Sequence, residues 1–234
     1  MKFGIILFPG SNCARDCYQT LNNIYEVSVD YICYQNPDIT KYSCIILPGG
    51  FSYGDYLRPG AIARFSPIMK AVKDYAADGG LVLGICNGFQ ILLEAGLLPG
   101  ALIKNEQLRF VCRCIELRVE NALTPFTGEC TKGELLNMPV AHAEGNYYLD
   151  DEGLEELKKN YQVVLRYASP SGETDQESNP NGSIDNIAAV ASISGNVIGM
   201  MPHPERSVEK LLGNGSEDGK KIFQSVINYL QGGK

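Results

Sequence analysis

Cys86 lies in a glycine-flanked segment, residues 84–90 (Gly-Ile-Cys-Asn-Gly-Phe-Gln). The apolar residues 80–83 before it predict the end of a buried strand, and residues 91–95 after it predict a helix. A Gly-x-Cys-x-Gly pattern at a strand-to-helix turn is the thiol form of the nucleophile elbow, whose sharp bend pushes the central residue out of the sheet. A helix N-terminus beside the sulfur favours thiolate over thiol. The segment therefore predicts a nucleophile at Cys86.

A cysteine nucleophile needs a base, and the chain has two histidines, His142 and His203. His203 stands between two prolines that restrict its backbone, and Glu205 follows two residues later. In an extended segment, side chains at i and i+2 point the same way, so the carboxylate can orient the imidazole. We expect a triad of Cys86, His203 and Glu205, with activity falling at acid pH as His203 protonates. Taken singly, a buried core cysteine and a stiff turn remain the alternatives.

The oxyanion of such a reaction is usually held by backbone N–H groups. Asn87 follows the nucleophile, as an elbow donor must. The second donor is expected from Gly49-Gly50-Phe51, a glycine-rich turn after the third predicted strand. All these residues then lie at the carboxyl ends of strands, where open α/β sheets place their sites.

Apolar runs alternate with amphipathic stretches, which predicts an α/β fold with a mainly parallel open sheet flanked by helices. In the first half, the predicted strands are 3–8, 26–33, 44–47 and 81–85, and the predicted helices are 14–23 and 67–77. The second half predicts additional strands at 111–119, 134–141 and 162–167, with a helix near 153–159. Residues 187–193 and 197–201 predict a hairpin, and a final helix ends near residue 230. Residues 169–186 predict a long exposed loop inside one domain of residues 1–234.

The chain has 234 residues, a formal net charge of −7 and a pI near 4.9. Such an acidic balance argues against a nucleic-acid surface and against an anionic membrane partner. No apolar stretch approaches the roughly 20 residues of a membrane span, and no secretory leader is evident. The 8 cysteines are expected to be reduced, and Cys112 and Cys114 are too closely spaced for an ordinary zinc pair, so no metal site is expected. We expect a cytoplasmic protein.

These segments resemble the class I (triad) glutamine amidotransferases. The resemblance covers the chain from residue 3 to the last helix. It rests on residues 84–90 and 202–205, and on the segments 48–60, 139–145, 179–183 and 199–206. Asn87 and the long segment 48–60 point to a narrower branch, the glutaminase subunits of purine biosynthesis. The Gly-x-Cys-x-Gly core marks only the superfamily.

The resemblance implies a flavodoxin-like sheet and hydrolysis of glutamine through a glutamyl thioester on Cys86. It implies that the N–H groups of Gly50 and Asn87 hold the oxyanion. It also implies substrate contacts from Phe51, Gln90, His142 and Ala143. The ammonia would pass to a large synthetase subunit, which amidates formylglycinamide ribonucleotide with ATP and magnesium, and a small bridging subunit would complete the complex. The resemblance implies no cofactor in this chain.

Relatives commonly have His-Gly-Glu-Gly-Arg where this chain has His142-Ala-Glu-Gly-Asn146. His142 is therefore either a substrate contact or a hydrogen-bonded structural residue. Arg58, Arg64 and Arg109 are either partner contacts or solvated charges. Two alternatives for the function are another cysteine hydrolase of this architecture, such as a γ-glutamyl hydrolase, and a catalytically silent partner subunit.

Overall fold

The computed structural model describes residues 1–232, and its frame is a nine-stranded sheet beside a two-stranded sheet. The predicted single domain of residues 1–234 extends two residues beyond this range and stays a prediction. Within the described range, the strands are β1 (Lys2–Leu7), β2 (Ser28–Cys33), β3 (Cys44–Leu47), β4 (Leu81–Ile85), β5 (Ala101–Ile103), β6 (Val111–Val119), β7 (Leu135–His142), β8 (Asn146–Tyr148), β9 (Val163–Ala168), β10 (Ile187–Ala191) and β11 (Val197–Met200). The helices are α1 (Ala14–Gln19), α2 (Pro67–Ala77), α3 (Asn87–Glu94), α4 (Asp151–Lys159) and α5 (Gly219–Leu230).

The large sheet has the order β2-β1-β3-β4-β11-β10-β9-β6-β7. The pairings from β2 through β1, β3 and β4 to β11 are parallel. The pairings from β11 through β10, β9 and β6 to β7 are antiparallel. The order 2-1-3-4 is that of flavodoxin-like sheets, which place ligands beyond the carboxyl ends of the strands. This confirms the predicted fold class, a mainly parallel sheet with added antiparallel strands.

The parallel strands form the centre of the core. Every residue of β3, β4 and β11 is buried, which requires covering structure on both faces of the sheet. Each fully buried Ile or Leu stabilises the fold by about 1.5–3 kcal/mol relative to an exposed one. Helix α2 buries Ile68, Met69, Val72 and Ala76, the spacing of one helical face. A rigid centre of this kind fixes the ends of β3, β4 and β11 relative to one another.

Four predicted elements match the structure residue for residue: β3, α2, β4 and β6. The predicted hairpin is also present, as antiparallel β10 and β11. Strand β2 begins at Ser28 rather than residue 26, because Glu26 has a φ of 53°, outside the extended region. The predicted helix 14–23 is α-helical only to Gln19 and continues as a π-helical turn over Thr20–Ile24.

The expectation of an exposed loop over residues 169–186 is wrong for its second half. Asn181, Ser183 and Asn186 are buried, and the Asn181 amide donates to the carbonyl of Gly145 at 2.7 Å. The side chains of this segment therefore satisfy backbone groups inside the fold. The pairing of β5 with β8 was also missed, because three-residue strands are too short to show a periodic pattern. Across residues 1–232, no helix is both long and apolar enough to span a bilayer.

Candidate active site

Cys86 forms the turn between β4 and α3 in a strained backbone conformation. Its φ of 49° and ψ of −103° lie outside the regions that side-chain-bearing residues favour. The turn is fixed because the Cys86 N–H donates to the carbonyl of Met200 at 2.7 Å, while the Gln90 N–H donates to the carbonyl of Cys86 at 3.1 Å. A Cβ on Gly88 would lie 1.9 Å from the carbonyl oxygen of Leu47, so only glycine lets α3 approach β3 this closely. The predicted elbow is therefore present.

His203 reaches the elbow because β11 is the parallel neighbour of β4, with Gly199 opposite Gly84 and Met200 opposite Ile85. The chain leaves β11 at the same edge of the sheet as Cys86. The His203 N–H donates to the carbonyl of Pro139 at 2.9 Å, which fixes the backbone of the histidine.

Glu205 holds the imidazole from its other side. The His203 Nδ1 and the Glu205 Oε1 lie 2.6 Å apart, and both residues are only 1% exposed. A hydrogen bond of this length to a buried carboxylate sets the ring orientation and stabilises a positive imidazolium. The structure thus brings together the three residues that the sequence predicted as a triad, and their catalytic role stays a prediction.

The charge of His203 depends on this pairing. Burial lowers the pKa of the imidazole, but the negative charge of Glu205, the nearby Cys86 side chain and the hydrogen bond to Glu205 raise it by more, to about 10. Nε2 has no partner with full hydrogen-bond geometry in residues 1–232. The Cys86 sulfur lies 3.7 Å from the carbonyl oxygen of Ala141, and contacts between base and nucleophile are often loose before substrate binds.

This pairing changes the pH dependence expected from the sequence. With a pKa near 10, His203 stays protonated through the neutral range, so its protonation does not cause a loss of activity near pH 6.5. As the pH rises through this pKa, His203 loses its proton, and the stabilising ion pair between His203 and Glu205 is lost. We expect kcat/KM for glutamine hydrolysis to fall as pH approaches 10, measured by glutamate release from pH 5.5 to 10.5. A kcat/KM that falls only on the acid side, with a midpoint near pH 6.5, would instead show that a neutral imidazole acts as the base.

A second cysteine, Cys13, lies beside the triad, and sequence analysis missed it. Its sulfur, a His203 ring nitrogen and a Glu205 carboxylate oxygen lie within 4.8 Å of one another. Burial and the charge of Glu205 raise the pKa of Cys13 to about 12, so it is a neutral thiol rather than a second nucleophile. The Arg206 guanidinium donates to its sulfur at 3.0 Å, and positive charge there repels a metal cation. We therefore interpret Cys13 as a neighbour of the triad, and not as a second nucleophile or a metal ligand.

The predicted oxyanion donors converge on the elbow. Asn87 opens α3, where the first N–H groups have no carbonyl acceptor in their own helix. Gly50 has a φ of 135°, and a Cβ there would lie 2.5 Å from the N atom of Asn12, so the position requires glycine. Neither the Gly50 N–H nor the Asn87 N–H donates a hydrogen bond within residues 1–232. Both are free to bind a developing oxyanion, a role that stays a prediction.

The Asn87 side chain fixes the turn that follows Gly50. Its Oδ1 accepts from the Ser52 N–H at 3.0 Å, and its Nδ2 lies 3.4 Å from the Asp55 Oδ1. Nδ2 also donates to the Gln90 Oε1 at 2.9 Å. A side-chain amide at this position therefore links the nucleophile elbow to residues 51–55.

Cys86 faces a cavity of about 80 Å³. The four predicted substrate contacts all line it: Phe51, Gln90, His142 and Ala143. The cavity is small and is bordered by the segments that carry Phe51 and Glu144. A larger cavity of about 430 Å³ lies behind the triad, against Glu205 and Arg206 but without Cys86.

Two carboxylates that sequence analysis missed, Asp55 and Glu144, also line the catalytic cavity. Burial and the neighbouring charge of Glu144 raise the pKa of Asp55 to about 6. No lysine or arginine from residues 1–232 lines the cavity, so these carboxylates favour a cationic group of the ligand. The sequence pattern does not predict this pair, because Asp55 and Glu144 are 89 positions apart in the chain and only the fold brings them together.

His142 is both a lining residue and a structural one. Its Nδ1 lies 3.1 Å from the Asn105 Oδ1, which also accepts from the Gly145 N–H at 3.0 Å. Burial and the charge of His203 lower the pKa of His142 to about 4, so its ring is neutral. A neutral ring next to an imidazolium leaves His203 as the proton carrier of the site.

Three comparisons with known proteins show what this chain is similar to. A family model, the CobB/CobQ-like glutamine amidotransferase domain, matches residues 1–230. A curated relative from Moorella thermoacetica, phosphoribosylformylglycinamidine synthase subunit PurQ, is 53% identical over 100% of this chain and 98% of its own length. The same subunit from Salinibacter ruber is 52% identical over 98% of this chain and 97% of its own length.

Among solved structures, the PurLQS structure from Thermotoga maritima has a chain that matches with a TM-score of 0.86 and 46% identity. The match covers 98% of each chain. A putative GMP synthase subunit from Thermoplasma acidophilum matches with a TM-score of 0.64 at 14% identity, over 99% of this chain and 94% of its own. The second match is too distant in sequence to show more than a shared fold.

Proposed function

The chain belongs to the CobB/CobQ-like glutamine amidotransferase family, and from that premise we propose that it is the glutaminase subunit of a phosphoribosylformylglycinamidine synthase. It hydrolyses glutamine to glutamate and ammonia and supplies the ammonia to a separate ATP-dependent synthetase. We assign formylglycinamide ribonucleotide as the acceptor of the ammonia because the relatives that are 52–53% identical over nearly the whole chain are subunits of that synthase.

The observation that supports this chemistry best is the position of Cys86. Its sulfur stands at the apex of a strained elbow, in a cavity, beside an imidazole that a buried carboxylate orients at 2.6 Å. The negative charge of Glu205 favours a protonated imidazole beside this sulfur. This is the arrangement that acyl transfer from an amide requires.

In the first half of the reaction, the Cys86 thiolate attacks the side-chain amide carbon of glutamine. The N–H groups of Gly50 and Asn87 stabilise the tetrahedral oxyanion. The His203 imidazolium then gives its proton to the amide nitrogen, the carbon–nitrogen bond breaks, and ammonia leaves. A glutamyl thioester on Cys86 remains.

In the second half, His203 is neutral and takes a proton from a water molecule. The resulting hydroxide attacks the thioester carbon, and the same two N–H groups hold the second oxyanion. The carbon–sulfur bond breaks, which releases glutamate and restores the thiolate and the imidazolium. Glu205 keeps its negative charge throughout and supports the imidazolium each time it forms.

Substrate recognition uses the remaining cavity residues. The carboxylates of Asp55 and Glu144 attract the α-ammonium group of glutamine, and Phe51, Gln90, His142 and Ala143 shape the cavity around the side chain. We place no cofactor in this chain. ATP and magnesium belong to the synthetase subunit, which is the large partner, and a small bridging subunit completes the complex.

We place the reaction in the cytoplasm. All eight cysteines are unpaired, and the nucleophile must stay reduced to function. Both properties suit a reducing compartment.

The proposed function predicts that the purified chain alone releases glutamate slowly and that its partners stimulate it several-fold or more. The reason is that the synthetase consumes the ammonia, so hydrolysis by the unstimulated chain would release ammonia unused. The measurement is glutamate release with and without the synthetase, the small subunit, ATP and formylglycinamide ribonucleotide. Full turnover by the isolated chain, especially on γ-glutamyl peptides, would favour the hydrolase alternative. No turnover under any of these conditions would favour the silent subunit.

A further inference from the structure

Asn105 is a fully buried side chain that takes no direct part in the proposed reaction. Its amide nitrogen, Nδ2, lies 2.8 Å from the carbonyl oxygen of Arg109 and 3.0 Å from that of His142. Its Oδ1 lies 3.0 Å from the N atom of Gly145 and 3.1 Å from the His142 Nδ1. Asn105 therefore uses its whole amide group to hold the segment that carries His142.

These partners allow only one orientation of the Asn105 amide. Carbonyl oxygens only accept hydrogen bonds, so the two carbonyls require the NH₂ group. The Gly145 N–H only donates, so it requires the amide oxygen. A flipped amide would place oxygen against oxygen and N–H against N–H. The atom of Asn105 that faces the His142 ring is therefore an acceptor.

His142 has to donate from Nδ1 to this acceptor. A neutral imidazole carries one proton, so a proton on Nδ1 leaves a lone pair on Nε2. Burial and the charge of His203 lower the pKa of His142 to about 4, so the ring carries no second proton at neutral pH. The ring also packs directly against Gly145, where a Cβ would lie 2.4 Å from Nδ1. Asn105 thus sets the tautomer of His142.

The Nε2 of His142 is buried and has no hydrogen-bond partner within residues 1–232. Buried polar atoms are nearly always hydrogen-bonded, so an exception calls for a missing partner. His142 lines the cavity that contains Cys86. The preceding carbonyl oxygen, that of Ala141, lies 3.7 Å from the Cys86 sulfur, so strand β7 ends at the nucleophile. The missing partner is therefore a hydrogen-bond donor that enters the cavity close to the sulfur.

Glutamine and glutamate differ in their hydrogen-bond donors. The side-chain amide of glutamine carries two N–H donors, whereas the γ-carboxylate of glutamate only accepts. A lone pair on Nε2 binds the amide and repels the carboxylate, and a site built to bind an N–H group strongly rejects analogues that lack it. Asp55 and Glu144 cannot make this distinction, because both amino acids have the same α-ammonium group.

Resting on the proposed function, we propose that Asn105 is a positioning residue that fixes the Nδ1–H tautomer of His142, so that Nε2 accepts a hydrogen bond from the side-chain amide of glutamine. This contact selects glutamine over glutamate and lowers the affinity for the product once the thioester is hydrolysed. Asn105 does not touch the substrate and acts through the imidazole.

The test compares two substrates, glutamine and the γ-methyl ester of glutamate. The ester keeps the α-ammonium and α-carboxylate groups and forms the same thioester on Cys86, with methanol leaving in place of ammonia. Its side chain has no N–H group, so it cannot donate to Nε2. The measurement is glutamate release from each substrate with the synthetase, the small subunit, ATP and acceptor present.

The first variant is His142→Asn, which keeps a donor for Asn105 and removes the nitrogen at the Nε2 position. We expect kcat/KM to fall about tenfold or more for glutamine and to change less than about threefold for the ester. Glutamate should inhibit this variant more strongly than the wild type, because the lone pair that repels its carboxylate is gone. His142→Gln, which places an amide oxygen near the position of Nε2, should recover most of the preference for glutamine.

The second variant is Asn105→Asp, and its matched control is Asn196→Asp. Asn196 is also buried, and its amide donates to the carbonyls of Ala76 and Gly80 at 2.8 Å each. Both variants therefore lose two donors to backbone carbonyls, but only Asn105 holds an imidazole. A carboxylate beside Nδ1 favours the imidazolium, which puts a proton on Nε2. Asn105→Asp should lose about tenfold of the preference for glutamine over the ester, and Asn196→Asp should keep the wild-type preference.

An ¹⁵N NMR spectrum tests the tautomer independently of activity. The chain has two histidines, and His142→Asn identifies the ring signals of His142 by their disappearance. We expect His142 Nε2 to show the shift of an unprotonated nitrogen in the wild type and of a protonated one in Asn105→Asp. A protonated Nε2 in the wild type, or equal losses on glutamine and ester in His142→Asn, would overturn this inference while the proposed function stands. A wild-type chain that hydrolyses neither substrate would overturn both.

Discussion

Replacement of Cys86 by alanine should reduce glutamine hydrolysis by at least about 10⁴-fold, to the background of the assay. The reason is that no other group in the cavity can form the thioester. Cys13 lies close by, but its neutral thiol and its bond to Arg206 prevent it from replacing the nucleophile. The measurement is steady-state glutamate release, together with mass spectrometry of the intact chain for trapped glutamyl adducts.

The control for this variant is Cys44→Ala, which removes an equally buried cysteine from strand β3 far from the chemistry. Deleting a small buried group of this kind costs roughly 1 kcal/mol of folding stability and should leave turnover unchanged. Circular dichroism and thermal unfolding should show that Cys86→Ala remains folded. Ammonia release by Cys86→Ala at a substantial fraction of the wild-type rate would disprove a nucleophilic role for this residue.

Replacement of Glu205 by glutamine should lower kcat on the order of 10³- to 10⁴-fold with little change in the fold. The carboxylate accepts from the His203 Nδ1 at 2.6 Å and is fully buried. Glutamine keeps the shape but not the charge, so the imidazolium loses its main stabilising partner and the ring can adopt the wrong tautomer. The alkaline decline of activity should move to lower pH, because the pKa of His203 is no longer raised by this charge.

The matched control is Glu209→Gln, at a nearby exposed carboxylate that does not touch the imidazole. It should retain both wild-type turnover and the wild-type pH profile. Comparing the two pH profiles separates a lost charge from a general loss of structure, because an unfolded fraction lowers the rate without shifting the profile. A Glu205→Gln variant with normal kcat and an unshifted alkaline limb would show that the buried carboxylate does not support catalysis.

The spacing of residues in the sequence was sufficient to predict those parts of the site that are formed by residues close together in the chain. The glycines around Cys86 predict the elbow, and the i, i+2 spacing of His203 and Glu205 predicts their contact. The apolar runs predict the central strands, since a strand buried on both faces has to be apolar throughout. These inferences succeeded because backbone geometry fixes the relations between residues that are close in the chain.

Long-range contacts were not predictable in this way. Nothing in the spacing joins Cys13 to His203, Asp55 to Glu144, or Asn105 to His142, and the short pairing of β5 with β8 leaves no periodic signal. The burial of Asn181, Ser183 and Asn186 was also missed, because Asn and Ser are common in exposed loops and are equally able to satisfy buried backbone groups.

The sequence by itself determined the type of nucleophile, its base and the strand-to-helix turn that presents the sulfur, because each depends on bond geometry over a few residues. Tertiary structure alone decided the protonation of His203, the size of the catalytic cavity and the link from Asn87 to residues 51–55. Those properties depend on burial and on distances between charges from different strands. Only the packed sheet, which places the ends of β3, β4 and β11 side by side, sets such distances.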